Sequence, residues 1–317
     1  MVGSLVDPEY AIYTQGLTKS FGSHNAVDHI DLRVPKGSIF GFLGPNGSGK
    51  TTTIRALLAL ANISSGEVSL LGYKVPEEIG LALPKVGALV EGPAFYPYLS
   101  GRDNLIRFDC ADRYADPSTR LERVDQALAR VGLSQAASKK VHAYSLGMKQ
   151  RLGIANALLQ PRELLILDEP TNGLDPQGTR EVRNLIRSLA SEGITIFISS
   201  HLLVEIEQIC THLAVMSMGK IVAQGSVEEL STSEIRELTI TTNDCERGIQ
   251  ALKSIGITAT ATGDVLKARI PHDQVAPEVI VRVLTELNVG IKGFTLLAPT
   301  LEERFVSLTG EGFDVAR

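Results

Sequence analysis

At 317 residues the chain exceeds one typical domain, and its 44% hydrophobic and 21% charged content is that of an ordinary globular protein. A net charge of −5 without a long Lys/Arg run disfavours nucleic acid as a partner. Cys110, Cys210 and Cys245 lie far apart without metal-ligand spacing, which suits small buried apolar groups in a reducing compartment.

Residues 1–10 lack the basic start and apolar core expected of a signal peptide. No apolar run approaches the ~18–20 residues that cross a bilayer, so a membrane role would need a span from another chain. The pattern then predicts strands over 12–17 and 26–34, around the polar loop 19–25. Phe21 in that loop has two readings: a ring that stacks on adenine, or a plug at the sheet edge.

Residues 38–43 read as a buried strand and 52–60 as a helix. Between them runs Gly44-Pro45-Asn46-Gly47-Ser48-Gly49-Lys50-Thr51, followed by Thr52, which fills the pattern G-x-x-x-x-G-K-[ST]. Glycines let the backbone curl so that successive N–H groups point inward, and the helix N-terminus adds partial positive charge. Lys50 supplies a full charge for the β- and γ-phosphates, and the Thr51 hydroxyl can ligate Mg²⁺. A chance match in a chain this long is on the order of one per cent, and the strand–loop–helix context lowers it further. The stretch is therefore read as a nucleoside triphosphate site.

Residues 66–72 read as a hairpin strand and 86–90 as a buried strand ending at Glu91. From 99 to 159 the pattern is helical; Leu121, Val124, Leu128 and Val131 fall on one face, so an all-helical insertion between two strands of the core sheet is expected. It ends in Ser145-Leu146-Gly147, where Ser145 opens a helix to about residue 159, either as an ordinary N-cap or as part of a second anion site.

The apolar strand 164–167 delivers Asp168 and Glu169 at its C-terminal end, where open α/β sheets bind ligands. Two adjacent carboxylates there call for a cation, with Asp168 on the metal or its water and Glu169 polarising an attacking water. Asp175 before Pro176 is a sound helix N-cap by itself, with the helix running to 190. Strand 194–200 then places His201 at the same ligand-binding edge. Residues 219–225 give a hairpin-like signal, and 226–233 are helix-prone.

Beyond this the composition changes. Strands are expected over 238–241, 257–262, 265–270 and 291–297, with helices over 245–255, 276–287 and 301–308. Thr300 and Glu303 carry capping-box spacing for the last helix. The βαββαβ order predicts a small α+β domain of split-βαβ character over 231–317, without a constellation assignable to chemistry.

Over about residues 13–230 these motifs resemble the ATP-binding subunit of ATP-binding-cassette (ABC) transporters. Gly44 to Thr51 resembles the Walker A loop, the strand ending at Asp168 resembles Walker B, and Glu169 the catalytic carboxylate. Ser145 to Lys149 is similar to the signature sequence, Asn172 to Asp175 to the D-loop, His201 to the switch histidine and Phe21 to the adenine-stacking aromatic. The resemblance implies an α/β P-loop NTPase core over 1–230, with a helical subdomain at about 93–160, an antiparallel β edge and the small C-terminal domain. It implies ATP and Mg²⁺, with Lys50, Glu169 and His201 catalytic and Thr51, Asp168 and Glu91 toward the metal. Phe21, Gly44 to Thr52, Glu91, Ser145, Gly147 and Asp175 would contact nucleotide.

Three positions depart from the family pattern. Leu146 stands where a second glycine is usual, Met148 where a glutamine is usual, and Glu91 in place of the Q-loop glutamine. Glu91 followed by Gly-Pro-Ala-Phe-Tyr is similar to the bacitracin- and lantibiotic-type exporters, and the C-terminal domain to the extension of daunorubicin-type exporters. The resemblance thus implies an ATPase on the cytoplasmic side of the membrane, partnered by a separate permease and closing head to tail as a homodimer. An importer ATPase, or a soluble cassette ATPase not coupled to transport, are the alternatives.

Overall fold

The computed structural model of the chain describes residues 9–92, 94–231, 235–271 and 274–297. β1 (Tyr10–Phe21) turns into β2 (His24–Ile30) and then β3 (Arg33–Pro35), pairing antiparallel with both. One continuous strand over 26–34 was the expectation; instead the ladder breaks between β2 and β3. The cause is Thr14, whose buried hydroxyl donates to the Ile30 carbonyl at 2.9 Å and accepts from the Leu32 N–H at 2.8 Å. A side chain there replaces a backbone partner.

β4 (Ile39–Leu43), buried at every residue, leads to α1 (Lys50–Leu57), shifted toward the N-terminus of the predicted 52–60. The hairpin of β5 (Ser65–Leu70) and β6 (Tyr73–Val75) follows, then α2 (Ile79–Ala82) and β7 (Val86–Leu89). α3 (Gly101–Ala111), α4 (Arg120–Arg130) and α5 (Leu146–Ala157) come between β7 and the next strand, β8 (Leu164–Asp168). α3 and α4 are tied by the buried Asp109 carboxylate, which accepts from Arg120 Nε at 2.9 Å and Arg123 Nη2 at 2.7 Å. Two cations on one desolvated anion offset a burial cost that a lone carboxylate would not survive.

α6 (Pro176–Ser191), β9 (Thr195–Ser200), α7 (Leu203–Ile209), β10 (His212–Ser217) and β11 (Lys220–Ser226) complete the first unit, and α8 (Val227–Ser231) follows. α7 and β10 were not foreseen. α7 has seven residues and no side-chain cap, too little for the periodicity to register. It packs instead through tertiary contact: a Cβ at Gly41 of β4 would stand 2.5 Å from an Ile206 methyl.

One sheet has the order β11-β10-β4-β9-β8-β7. The run β10 to β7 is parallel and β11 returns antiparallel on β10. The parallel strands therefore present their C-terminal ends along one edge, with Leu43 in register with Ser200 and Asp168 with Ser199. A second, antiparallel sheet has the order β2-β1-β5-β6, with β3 also on β1. Ile12, Leu17, Phe40, Phe42, Ile54, Leu57, Leu70 and Phe197 share one core between them. Each such fully buried side chain contributes about 1.5–3 kcal/mol, which fixes α1 and the strands beside it.

The chain divides into two compact units after Val227. The second carries β12 (Ile235–Thr241), α9 (Cys245–Ser254), β13 (Ala259–Thr262), β14 (Val265–Pro271), α10 (Pro277–Glu286) and β15 (Gly293–Leu297). Its antiparallel sheet, ordered β13-β14-β12-β15, has its own core of Leu238, Ile240, Leu252, Leu266, Ile280 and Leu284. The expected helix 301–308, with Thr300 and Glu303, lies outside the described residues. Among the described residues no helix is long and apolar enough to cross a membrane.

Candidate functional site

The loop between β4 and α1 is shaped by what surrounds it. A Cβ at Gly44 would lie 2.3 Å from the Met216 carbonyl, and one at Gly49, at φ +109°, would lie 2.3 Å from the Ala26 carbonyl. The loop is thus pressed against β10 and β2, and only glycine fits at those two points. Gly44 N–H donates to the Ser200 carbonyl at 3.3 Å, and Gly219 N–H to the Ser48 carbonyl at 3.0 Å. Pro45, Asn46 and Gly47 line the more open rim, and Asn46 and Gly47 are exposed. α1 has no side-chain N-cap; its first helical bond runs from Thr53 N–H to the Gly49 carbonyl. The N–H groups of Lys50, Thr51 and Thr52 precede that bond, the arrangement that receives an anion. Ser48 Oγ is buried without a hydrogen-bond partner.

Lys50 is buried, with 6% of its side chain exposed, and its Nζ donates to the carbonyls of Gly44 at 2.7 Å and Pro45 at 3.2 Å. Glu169 Oε1 stands 3.4 Å from the same ammonium. Burial pushes the Lys50 pKa below its ordinary value, with Glu169 and then Asp168 acting against that.

The two carboxylates at the end of β8 have distinct surroundings. Asp168 is buried; its Oδ2 accepts from Thr51 Oγ1 at 3.0 Å and its Oδ1 from Ser199 Oγ. Glu169 sits at φ +49°, a left-handed conformation that costs a non-glycine residue about 1–2 kcal/mol. Its N–H donates to Ser199 Oγ at 2.9 Å, and its Oε2 lies 2.8 Å from His201 Nδ1. That contact favours the tautomer with the proton on Nδ1 and leaves Nε2 as the ring's free polar atom. Glu169 Oε1 is buried with no hydrogen bond. Lys50, Thr51, Asp168, Glu169 and His201 therefore meet at one edge, although long stretches of chain separate them.

The remaining residues singled out in the sequence lie elsewhere. Phe21, at the end of β1, is 58% exposed with Lys19 Nζ 4.8 Å above its ring, so it does not plug the sheet edge. Ser145 caps α5 by accepting from Met148 N–H at 3.2 Å, and Asp175 caps α6 by accepting from Gly178 N–H at 2.7 Å. Ser145, Gly147 and Asp175 share a separate open hollow of about 480 Å³ with Arg151 and Glu181.

Glu91, expected toward the metal, is 57% exposed and ion-paired with Arg55. At φ +62° the chain turns there as it leaves β7, and Arg55 sits one helical turn beyond Thr51. Ser199 is a site residue that sequence reading missed, because it lies inside the expected strand 194–200. The signal was present in two hydroxyls, Ser199 and Ser200, placed directly before His201 in an otherwise apolar run.

A family pattern described as ABC transporter matches residues 27–172, and one described as an AAA domain matches residues 139–207. The chain is 39% identical to the bacitracin transport ATP-binding protein BcrA of Bacillus licheniformis, over 95% of this chain and 98% of that protein. It is 32% identical to the daunorubicin/doxorubicin resistance ATP-binding protein DrrA of Streptomyces peucetius, over 97% of this chain and 94% of that one. Among solved structures, cbiO1 from Clostridium perfringens, part of the ABC transporter complex cbiONQ, matches at 28% identity. That match covers 70% of this chain and 90% of cbiO1, with a TM-score of 0.64. A phosphate loop set against paired carboxylates and a histidine, on a fold shared with those cassettes and matched along nearly its whole length by those relatives, identifies the chain as a member of the ATP-binding subunits of ABC transporters.

Proposed function

We propose that the chain binds and hydrolyses ATP to power export of a drug-like or antibiotic substrate through a separate membrane permease, from the cytoplasmic side. The observation that carries the chemistry is the convergence of Lys50, Asp168, Glu169 and His201 on the phosphate loop. The export direction rests on the bacitracin and daunorubicin relatives, and the separate permease on the lack, among the described residues, of a helix fit to cross a bilayer.

In this reading the N–H groups and Lys50 hold the β- and γ-phosphates, and the exposed Phe21 ring stacks on the adenine. The Thr51 hydroxyl and Asp168 carboxylate, already 3.0 Å apart, would hold Mg²⁺. Two protein oxygens fit an ion that takes its other ligands from phosphate and water, and among the described residues no three-residue His/Cys/Asp/Glu cluster offers it an all-protein cage. An ion held there would supply positive charge against the triphosphate. Glu169 orients and deprotonates the attacking water, while His201 positions the Glu169 carboxylate and reaches the γ-phosphate. Glu91, held by Arg55, stays outside the ion's ligands.

Ser145, Gly147 and Asp175 lie in their own hollow, so a second copy placed head to tail would bring them over the exposed face of the nucleotide. A second helix N-terminus there completes the charge neutralisation that one phosphate loop leaves unfinished. The test is mass by light scattering. Glu169→Gln with ATP and Mg²⁺ should double the 34.1 kDa monomer, and Lys50→Ala should stay monomeric. If Glu169→Gln remains monomeric with saturating ATP, with or without the permease, the head-to-tail reading fails.

A further inference from the structure

The loop that leaves Glu169 is tied to the helix that follows His201 by one side-chain pair. The Thr171 hydroxyl donates to Glu205 Oε2, across 34 positions of chain. Thr171 is buried, 9% exposed, and stands two residues beyond Glu169; Glu205 lies in the first turn of α7. We infer that the Thr171–Glu205 hydrogen bond is a positioning device that holds Glu169 in its catalytic geometry and joins the Glu169 loop to the His201 segment as one unit.

Three observations give the pair a direction. α7 is the firm partner, because Leu203, Ile206 and Ile209 are buried and Ile206 sits over the bare Cα of Gly41. The loop is the part that needs holding. Glu169 has a left-handed backbone, and the turn after it is closed by Asn172 N–H to the Glu169 carbonyl at 3.1 Å and Leu174 N–H to the Thr171 carbonyl at 3.1 Å. Ser199 restrains Glu169 from its N–H side. Thr171 restrains the same residue from the other side. With one clamp removed, the strained backbone is free to relax toward an ordinary conformation, and the Glu169 side chain would leave Lys50 and His201. The bond to a carboxylate is stronger than one between neutral groups, which suits a clamp on a strained turn.

The same loop continues through Asn172, Gly173 and Leu174 to Asp175, and Gly173, Leu174 and Asp175 line the hollow that holds Ser145 and Gly147. The tie thus joins the hydrolytic carboxylate and histidine to the surface proposed to meet a second copy. Neither Thr171 nor Glu205 touches the phosphate loop by a hydrogen bond, so both act through Glu169 and are positioning residues.

The inference rests on the ATPase reading of the site, and the experiment separates the two. ATP turnover, KM for ATP and binding of a fluorescent ATP analogue are measured for the full chain, Thr171→Val, Glu205→Ala, the double variant and Thr171→Ser, with Lys50→Ala as the control. Each single variant should lose ten- to a hundredfold in kcat, the scale of a misplaced catalytic group, while KM and analogue binding change less than about twofold. The double variant should be no slower than the slower single one, since both remove one bond. Thr171→Ser should restore turnover. If turnover of the unaltered chain survives Lys50→Ala, the ATPase reading itself is wrong. If Lys50→Ala is dead but the Thr171 and Glu205 variants turn over normally, lose binding in step with kcat, or add their losses, the positioning role is overturned. Circular dichroism on each variant identifies one that fails to fold; should Thr171→Val do so, Thr171→Ala and Glu205→Ala carry the same comparison.

Discussion

Replacing Ser199 by alanine tests how the two carboxylates are held apart in role. Its hydroxyl donates to Asp168 Oδ1 and accepts the Glu169 N–H, and the residue is fully buried in the central strand β9. Water cannot substitute in a space the size of one hydroxyl, so both groups lose a partner. A hydrogen bond to a charged acceptor is worth about 1.5–3 kcal/mol and an amide bond about 1 kcal/mol, for a total near 3 kcal/mol. For a unit of this size each kcal/mol moves the melting temperature by about 2–4 °C, so scanning calorimetry should find Ser199→Ala lower by roughly 6–12 °C. Ser200→Ala is the comparison: its hydroxyl is also buried but only accepts the Leu202 N–H at 3.0 Å, for a loss of about 1 kcal/mol. ATP turnover should fall at least about tenfold in Ser199→Ala, because Glu169 loses its N–H anchor. Equal melting shifts in the two variants, with turnover intact in Ser199→Ala, would refute this account of the site.

Phe21→Ala should lower ATP affinity about tenfold without changing the melting temperature, since an exposed ring contributes stacking but little folding energy; unchanged affinity in a calorimetric titration removes Phe21 from the site. Lys50 bears on pH. Its folded pKa lies below the unfolded value of 10.5, so the unfolded state holds the proton longer, and stability from this group rises as pH climbs through the window just beneath 10.5. Urea midpoints at about pH 8 and about pH 10 should therefore show a relative gain for the unaltered chain that Lys50→Met lacks; parallel shifts in both would contradict burial as the cause.

What was legible in the sequence was local. The phosphate loop is a contiguous backbone device between a buried strand and a helix, so its residues and spacing are its function. Asp168, Glu169 and His201 were legible because each ends an apolar strand, and parallel strands deliver their ends to one edge. The βαββαβ order of the second unit followed from alternating apolar periods.

Tertiary structure alone decided the rest, and the reason is the same each time: the partners are distant in sequence and become neighbours only through strand order. Ser199 reaches Asp168 because β9 lies beside β8 in register. Glu91 meets Arg55 where its backbone turns left-handed at the end of β7. Thr14 interrupts the ladder between β2 and β3, and β10 presses on Gly44, through contacts that no local pattern encodes. A chain can spell out the groups that do chemistry, but the hydroxyls and ion pairs that orient them belong to the packed sheet.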